Sequence, residues 1–439
     1  MASIAQPLLF SWKDIDDSGD LAKLALVLES LPDENLVALL ELRRSKGRND
    51  YPVRACWNAM IAGIVYQHPS TESLLRELQR NPSLRELCGF NPLLGVAAVP
   101  SSSAFCRFVR SLIEHRHMVD AIFRNLLEQL KALLPKFGQE LAIDSKAISS
   151  LARGPSKSTN SCRRGERDAK WGKKTYRNTT NEGKHWEKTV SWFGYKLHLV
   201  VDSTYELPVA YQVTTAEKHD APIAHSMLEA LDASDPLLLK RCEYLSADKA
   251  YDDTKLLVKL EDRFDICPLI PVRRGKVQET QVLQGKGQVS NATYDHFGRV
   301  YCHCPLTGTE HQMVYSNYER DRRQIRYRCP AKEHGVTCKG FAVCSIAPGI
   351  RIKIQEERRL FTRLPRHTYK WKRLYRKRSA VERVNSRIGE AFNLDRSLSR
   401  GKAKLELRCG LCVSVMLALA VGHLQQGEEH LMRSLVRIA

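Results

Sequence analysis

Long apolar runs are scarce in this 439-residue chain. The longest, Cys409–Gly422 (CGLCVSVMLALAVG), falls short of the roughly 20 residues that a bilayer span requires. The opening MASIAQPLLFSWKD lacks a basic stretch ahead of a long apolar core, so neither a secretory signal nor a membrane partner is expected. Hydrophobic residues at 43% and charged residues at 27% are ordinary for a globular protein and exclude collagen-like, coiled-coil and wholly disordered chains; internal repeats and low-complexity tails are missing too. A disulfide framework is equally out of place: thirteen cysteines, an odd number, lie scattered along a long chain. Acid is in short supply. Lys and Arg number 69 against 49 Asp and Glu, a net charge of +20. Such a chain attracts polyanions, and nucleic acid is the first partner to consider.

The excess charge is concentrated. Ala152–Lys188 holds 11 basic residues against 4 acids, and Arg351–Arg408 holds 19 against 6. Those two windows account for the whole imbalance. Both carry aromatics: Trp171, Tyr176 and Trp186 in the first, Phe361, Tyr369, Trp371, Tyr375 and Phe392 in the second. Cations interleaved with stacking surfaces suit a phosphate backbone and unpaired bases.

Apolar spacing of three and four predicts helices over Leu21–Ser30, Asp33–Arg44, Val53–Gln67, Thr71–Gln79, Ala104–Glu114 and His117–Leu134. Residues 1–138 thus read as an all-α domain, either a helix-turn-helix-like DNA-binding unit or a plain bundle. From 139 to 272 the pattern changes to α/β. Strands are expected at Glu140–Asp144, Tyr195–Asp202, Leu207–Thr214, Cys242–Asp248 and Phe264–Pro271, with helices at His219–Leu231 and Lys255–Asp262 and a long basic loop after the first strand. Residues 273–350 break this rhythm and hold five cysteines, so they read as an inserted subdomain. Residues 351–439 return to helix, with a charged helix around Tyr375–Phe392 and an apolar one at Leu405–Leu424.

Three acids stand out. Asp144 and Asp248 each end a predicted strand, and Glu382 sits in a helix of the most basic segment. Carboxylates that converge repel one another unless divalent cations lie between them. An oxygen-only donor set suits Mg²⁺ or Mn²⁺, and two such ions about 3.5–4 Å apart drive phosphodiester cleavage. On a continuous helix Tyr375, Arg378 and Glu382 would share one face, within about 60°. Asp202, Glu390 and Asp252 rank behind these acids because they fit the register less well. His185, His198 and His219 read as packing or hydrogen-bonding residues, since metal-assisted phosphoryl transfer needs no histidine base. Lys146 and Lys249 follow the two aspartates closely enough to hold phosphate. In the insert, Cys302, Cys304, Cys329, Cys338 and Cys344 could bind a structural Zn²⁺, with His311 and His334 as alternative ligands; free thiols are the competing reading. Cys409 and Cys412 read as core packing.

Taken in order, certain stretches resemble the bacterial insertion-sequence transposases of the DDE class. They are Pro52–Phe90, Val99–Leu112, LAIDSKAI (Leu141–Ile148), FGYKLHLVVD (Phe193–Asp202), LSADKAYDD (Leu245–Asp253) and YRKRSAVERVNSRIG (Tyr375–Gly389). The last is similar to the subgroup signature Tyr-x2-Arg-x3-Glu-x6-Lys, but Gly389 stands where the lysine is expected, with Arg387 nearby as a substitute. The resemblance implies an RNase H-like mixed sheet with flanking helices, and metal binding by Asp144, Asp248 and Glu382. It implies DNA contacts from Tyr375 and Arg378. It further implies cleavage of the element's terminal repeats and joining of 3′-hydroxyl ends to target double-stranded DNA. A homodimer on DNA and a cytoplasmic, nucleoid-associated location in a bacterium follow as expectations. A metal-dependent nuclease of the same fold and a non-catalytic DNA-binding descendant are the alternatives.

Overall fold

A computed structural model describes residues 19–44, 50–152, 154, 165–179, 185–273, 281–285 and 288–434. Side chains of 176–179, 281–285 and 288–290 lie outside the description, and with them that of Tyr176. The chain divides into two compact units, along other lines than the four segments drawn on the sequence. One comprises Met1–Phe137, Ser145–Lys218 and Val381–Ala439; the other comprises Gly138–Asp144 and His219–Ala380.

The first unit opens with helices Gly19–Ser30 (α1), Glu34–Arg44 (α2), Val53–Val65 (α3), Thr71–Arg80 (α4), Pro82–Cys88 (α5), Ser102–Glu114 (α6) and Arg116–Leu133 (α7). Capping fixes several starts. Ser70 accepts from the Ser73 amide and Ser73 answers in a capping box, while Asn81 caps α5 behind a proline at its first turn. The strands here are the end of Glu140–Ser149 (β1), then Lys170–Thr179 (β2), His185–Asp202 (β3) and Leu207–Thr215 (β4).

The apolar run near the C-terminus is part of a 24-residue helix, Lys402–Gln425. It is the one described helix long and apolar enough to cross a membrane. Its residues from Cys409 to Gly422 are instead buried within the unit, against α7, α1, β4 and α3. Hydrophobic burial on all sides explains an all-round apolar helix without a bilayer. At Gly410 the helix meets Tyr211 of β4 so closely that a Cβ would stand 2.5 Å from the phenol oxygen. Tyr211 in turn donates to Asp120 of α7 at 2.7 Å. Burial pushes the Cys409 thiol well up and Cys412 to about 11, so this Cys-x2-Cys pair packs in the core, as its place in an apolar helix suggested.

The second unit holds the start of β1, helices Asp220–Ser234 (α8) and Pro236–Arg241 (α9), strand Tyr244–Ala247 (β5), helix Thr254–Val258 (α10) and strand Cys267–Leu269 (β6). Two small antiparallel sheets follow. One joins Gln281–Gly285 (β7), Gln288–Tyr294 (β8), Val300–His303 (β9) and Glu310–Gln312 (β10). The other joins Val314–Glu319 (β11), Gln324–Arg328 (β12) and Ile350–Lys353 (β13). They enclose a core of their own, including Ala292, Val300, Ile325, Tyr327, Ile352 and Phe361. Between β12 and β13 lies helix Pro330–His334 (α11), and later helix Tyr369–Tyr375 (α12) packs Trp371 and Leu374 on Cys267 and Leu269 of β6.

The principal sheet is mixed, in the order β2-β3-β1-β5-β6, with β4 also on β3. The pairs β3–β4 and β2–β3 are antiparallel, and β1–β5 and β5–β6 are parallel. With its flanking helices this is the α/β, RNase H-like core expected from the sequence. Two expectations need correcting. Strand β1 runs five residues past Asp144, and the stretch read as a long basic loop contains β2 and the first half of β3.

Candidate active site

Parallel pairing aligns the two aspartates. Ile143 of β1 is the register partner of Ala247 of β5, so Asp144 and Asp248, the next residues, come side by side from adjacent strands. Strands are about 4.8 Å apart, close enough for two carboxylates to face one ion. Asp248 ends β5 and caps the turn Lys249–Tyr251, its Oδ1 accepting from the Ala250 amide at 2.7 Å. Lys249 sits exposed in that turn.

Opposite Asp144 stands a cationic arm. Arg378 places Nη1 3.6 Å from Asp144 Oδ2, and its guanidinium lies over the Tyr375 ring at 5.8 Å. Tyr375 stacks on Trp371, centroids 4.7 Å apart and planes 15° apart. Lys377 pairs with Glu140, four residues before Asp144 on the same strand and same face. The sequence placed Tyr375, Arg378 and Glu382 on one unbroken helix. Instead α12 ends at Tyr375, Arg376–Arg378 form a 3-10 turn, and a new helix, Ser379–Glu390 (α13), begins. The expected unbroken α-helix is thus interrupted by a single 3-10 turn, and Arg378 in that turn stands beside Asp144.

Behind this arm the second unit is cross-braced. Arg366, buried enough that its guanidinium is pulled down to about 10, donates to the carbonyls of Ile270, Leu360 and Arg359 at 2.7, 2.9 and 3.0 Å. Asp252, a lower-ranked acid in the sequence, has no exposed side chain and receives Arg359 at 2.7 Å. It anchors the fold. Asp202 likewise caps a turn, accepting from the Thr204 and Tyr205 amides, and Glu390 accepts from Ser386.

Glu382 belongs to the other unit, exposed in the first turn of α13, where an acid stabilises the helix start. Its helix is fastened through Glu206, a residue that sequence reasoning missed. Glu206 is buried in the turn between β3 and β4, with φ at +58°. Arg383 approaches it at 2.8 Å, Arg433 at 3.4 Å, and Arg387 pairs with it as well. Burial alone would raise this carboxyl; the Arg383 hydrogen bond and the three positive charges hold it below the ordinary carboxylate range. Arg387 also donates to the Glu206 carbonyl at 3.1 Å, so it is committed to the fold. No sequence signal marked Glu206, because its partners lie over 170 residues away in the chain.

Lys146 fills a different gap. Its ammonium pairs with Asp395 at 2.9 Å, and a Cβ on Gly389 would stand 2.7 Å from that same nitrogen. The position where the signature has lysine is thus occupied by an amine from β1. Of the histidines, His198 is buried and bonded to Thr214 at 2.9 Å, and His219 occupies the N-cap position of α8 without a side-chain cap bond. His185 is exposed at the start of β3.

In the insert, Cys302, Cys304, Cys329, Cys338 and Cys344 line one small cavity with His303, Met313 and Phe341. His311 and His334 are not part of its lining. Hydrogen bonds from Thr307 pull the Cys304 thiol down to about 6, whereas burial raises Cys302 to about 11. Among the described residues no three His, Cys, Asp or Glu side chains are already grouped to hold a metal ion, so the cysteines would have to turn toward one another to do so.

Comparison with known proteins gives the family. The profile of the transposase DDE domain matches residues 135–418, and that of a second transposase domain, DUF772, matches residues 12–111. The chain belongs to the DDE transposase family. No curated protein matches this transposase. Among solved structures it is similar to a chain of the "piggyBac transposase synaptic complex with hairpin DNA", at 10% identity and a TM-score of 0.37, covering 95% of the transposase and 79% of that chain.

Proposed function

We propose that this transposase binds the terminal inverted repeats of an insertion sequence, cuts phosphodiester bonds at its ends and joins the freed 3′-hydroxyls to target DNA. The observation that carries the reading is the side-by-side register of Asp144 and Asp248 within a matched DDE domain. Asp144, Asp248 and Glu382 would hold Mg²⁺ or Mn²⁺, which supplies charge stabilisation and activation of the attacking oxygen when bound. An all-oxygen, acidic donor set fits such hard cations.

The chain's own residues do the rest. Arg378, a rigid bidentate donor, positions a phosphate beside Asp144. Tyr375, braced by Trp371, offers a phenol and a ring at the same place. Lys146, whose ammonium lies over Gly389 and is shared with Asp395, supplies the cation of the missing signature lysine, while Arg387 is taken up by the buried Glu206. Lys249 adds a further phosphate contact. The helices of residues 1–138 hold the repeats, and a pair of chains aligns two ends, which favours a dimer on nucleoid DNA. Five thiols around one cavity support a structural Zn²⁺ in the insert, since a small β-unit gains much from a metal staple.

The test is incubation with the flanking repeats and Mg²⁺, comparing wild type with Asp144→Ala. Nicked and joined products from wild type alone are expected; equal cleavage by the variant removes Asp144 from the site. A pre-cut end separates transposase from nuclease, because only the former joins it to a second DNA.

A further inference from the structure

The first unit carries a cavity of about 270 Å³. Its lining comes from α3, the start of α4, α6, the segment Leu398–Arg400 and one stripe of helix Lys402–Gln425. On that stripe Lys404, Leu407, Arg408 and Leu411 keep the spacing of a single helix face, so cations and leucines alternate along it. Met60, Ile64 and Leu74 add to the apolar wall. Backbone bonds tie the lining segments together. The Leu398 amide donates to the Pro69 carbonyl at 2.8 Å, and Arg408 Nη2 donates to the His68 carbonyl at 2.9 Å.

The charges around this cavity do not balance. Arg400, Lys404 and Arg408 all line it, and among the described residues none of the three pairs with a carboxylate. Arg408 is mostly buried. Its Nη2 is spent on the carbonyls of His68 and Phe392, and its Nε is shut off from solvent without a partner. Burial draws its guanidinium below the ordinary value. A buried cation normally has a counter-ion, because an unpaired charge is expensive to desolvate. His68 Nε2, in the same lining, is likewise buried without a partner. The one lining acid, Glu72, accepts from the Ser102 hydroxyl. It sits in the first turn of α4, whose leading amides have no partner within the helix.

We propose that this cavity binds a phosphate ester, its anion on Arg400 and Lys404 with Arg408 supplying the third charge, and its organic body against Ile64, Leu74 and Leu407. At roughly 30 Å³ per water the space holds about nine waters, more than a bare ion fills. It lies just under the roughly 300 Å³ at which drug-sized pockets begin, so the body is small. Guanidinium groups suit the fork of phosphate oxygens. A nucleotide has this chemistry, whether it is free or belongs to bound DNA. The inference goes beyond the transposase reading and holds whether or not the protein cuts DNA.

Cys106 lines the same cavity, exposed and with a free thiol, so its alkylation reports occupancy. Full-length protein without Mg²⁺ is titrated with inorganic phosphate, with deoxyadenosine 5′-monophosphate and with duplex carrying the inverted repeat, and peptide mass spectrometry follows the modification of Cys106. Wild type is compared with Arg400→Ala/Lys404→Ala and with Arg396→Ala, an exposed cation outside the lining. All three positions are exposed, so the fold is expected to persist, and unchanged thermal unfolding without ligand checks it. The mononucleotide is expected to protect Cys106 and to bind about 10-fold more tightly than inorganic phosphate, through the apolar contact it adds. The double variant is expected to bind about 10–100-fold more weakly, having lost two charge-assisted contacts, and Arg396→Ala to match wild type. Protection by duplex alone, lost in the double variant and kept in Arg396→Ala, supports the site and assigns its phosphate to DNA. Alkylation that none of the three probes slows, protection by inorganic phosphate alone, or protection undiminished in the double variant overturns the proposal. Intact protection in a protein that neither cuts nor joins DNA with Mg²⁺ defeats the transposase reading and leaves the cavity's ligand standing.

Discussion

Arg378 stands 3.6 Å from Asp144, carried by the 3-10 turn that follows Tyr375. The acid we propose for a divalent cation is thus paired, in the protein alone, with a guanidinium suited to phosphate. Arg378→Ala is expected to reduce end cleavage by about 100-fold or more while the fold persists, since one charge-assisted contact at a reacting phosphate contributes roughly 3 kcal/mol. Arg378→Lys should recover only part, lacking the bidentate fork. Cleavage by Arg378→Ala at the wild-type rate would show that the contact has no part in the chemistry.

The three acids make the sharpest kinetic prediction. Asp144→Asn, Asp248→Asn and Glu382→Gln are each expected to lower cleavage by about 1,000-fold or more, and double replacements to add little, because groups acting as a unit are not additive. Binding of the repeats should survive in all three. Gel-shift and cleavage assays on the same preparations separate the two properties.

Lys146 and Arg387 are expected to fail differently. Lys146→Ala should impair cleavage with little change in thermal unfolding. Arg387→Ala should unfold more easily, because it strips a buried carboxylate of one of its cations, a loss on the order of 3 kcal/mol. Gly389→Ala should hurt both, since its methyl would stand 2.4 Å from Asp395 Oδ2. If Lys146→Ala cuts as well as wild type, the amine over Gly389 does no catalytic work.

Glu206 predicts an acid limb of stability. Its folded-state carboxyl lies below the ordinary value of 4.5, so its contribution is complete above that value and fades as pH falls through the folded one. The melting temperature of Glu206→Gln should therefore trail wild type at pH 7 and converge with it in strong acid. Parallel curves down to the lowest pH at which the protein still folds would contradict the assignment.

Metal analysis of purified protein decides the insert. About one zinc per chain is expected, with Cys304→Ser and Cys338→Ser lowering both zinc content and the melting temperature. Protein without zinc, or whose cysteine variants melt as wild type does, leaves the cavity as packed thiols.

Much of the core was legible because local pattern and global fold agree. Apolar periodicity located α1–α4, α6 and α7 to within a few residues, and a short apolar run closing on an acid marked the end of β5 before Asp248, whereas at Asp144 it marked only the first half of β1. What escaped was set by distant partners. Strand β2 reads as loop because Lys170–Thr179 is polar and basic; only pairing with β3 makes it a strand. The break at Arg376–Arg378 sits in residues that are all good helix formers, so sequence gave no sign of it. Glu206 looked like one more turn residue until Arg383, Arg387 and Arg433 arrived from the far end of the chain.

The buried helix Lys402–Gln425 imposes an order on how the molecule is made. Helices α1, α3 and α7 leave the ribosome early, yet the apolar surface they must cover is synthesised hundreds of residues later. Until then their inward-facing leucines have no lasting shelter, and aggregation or chaperone capture competes with waiting. Contacts this distant in sequence also slow folding once the chain is complete. A message cut short before Lys402 should therefore yield not a stable DNA-binding fragment but a sticky, protease-sensitive chain.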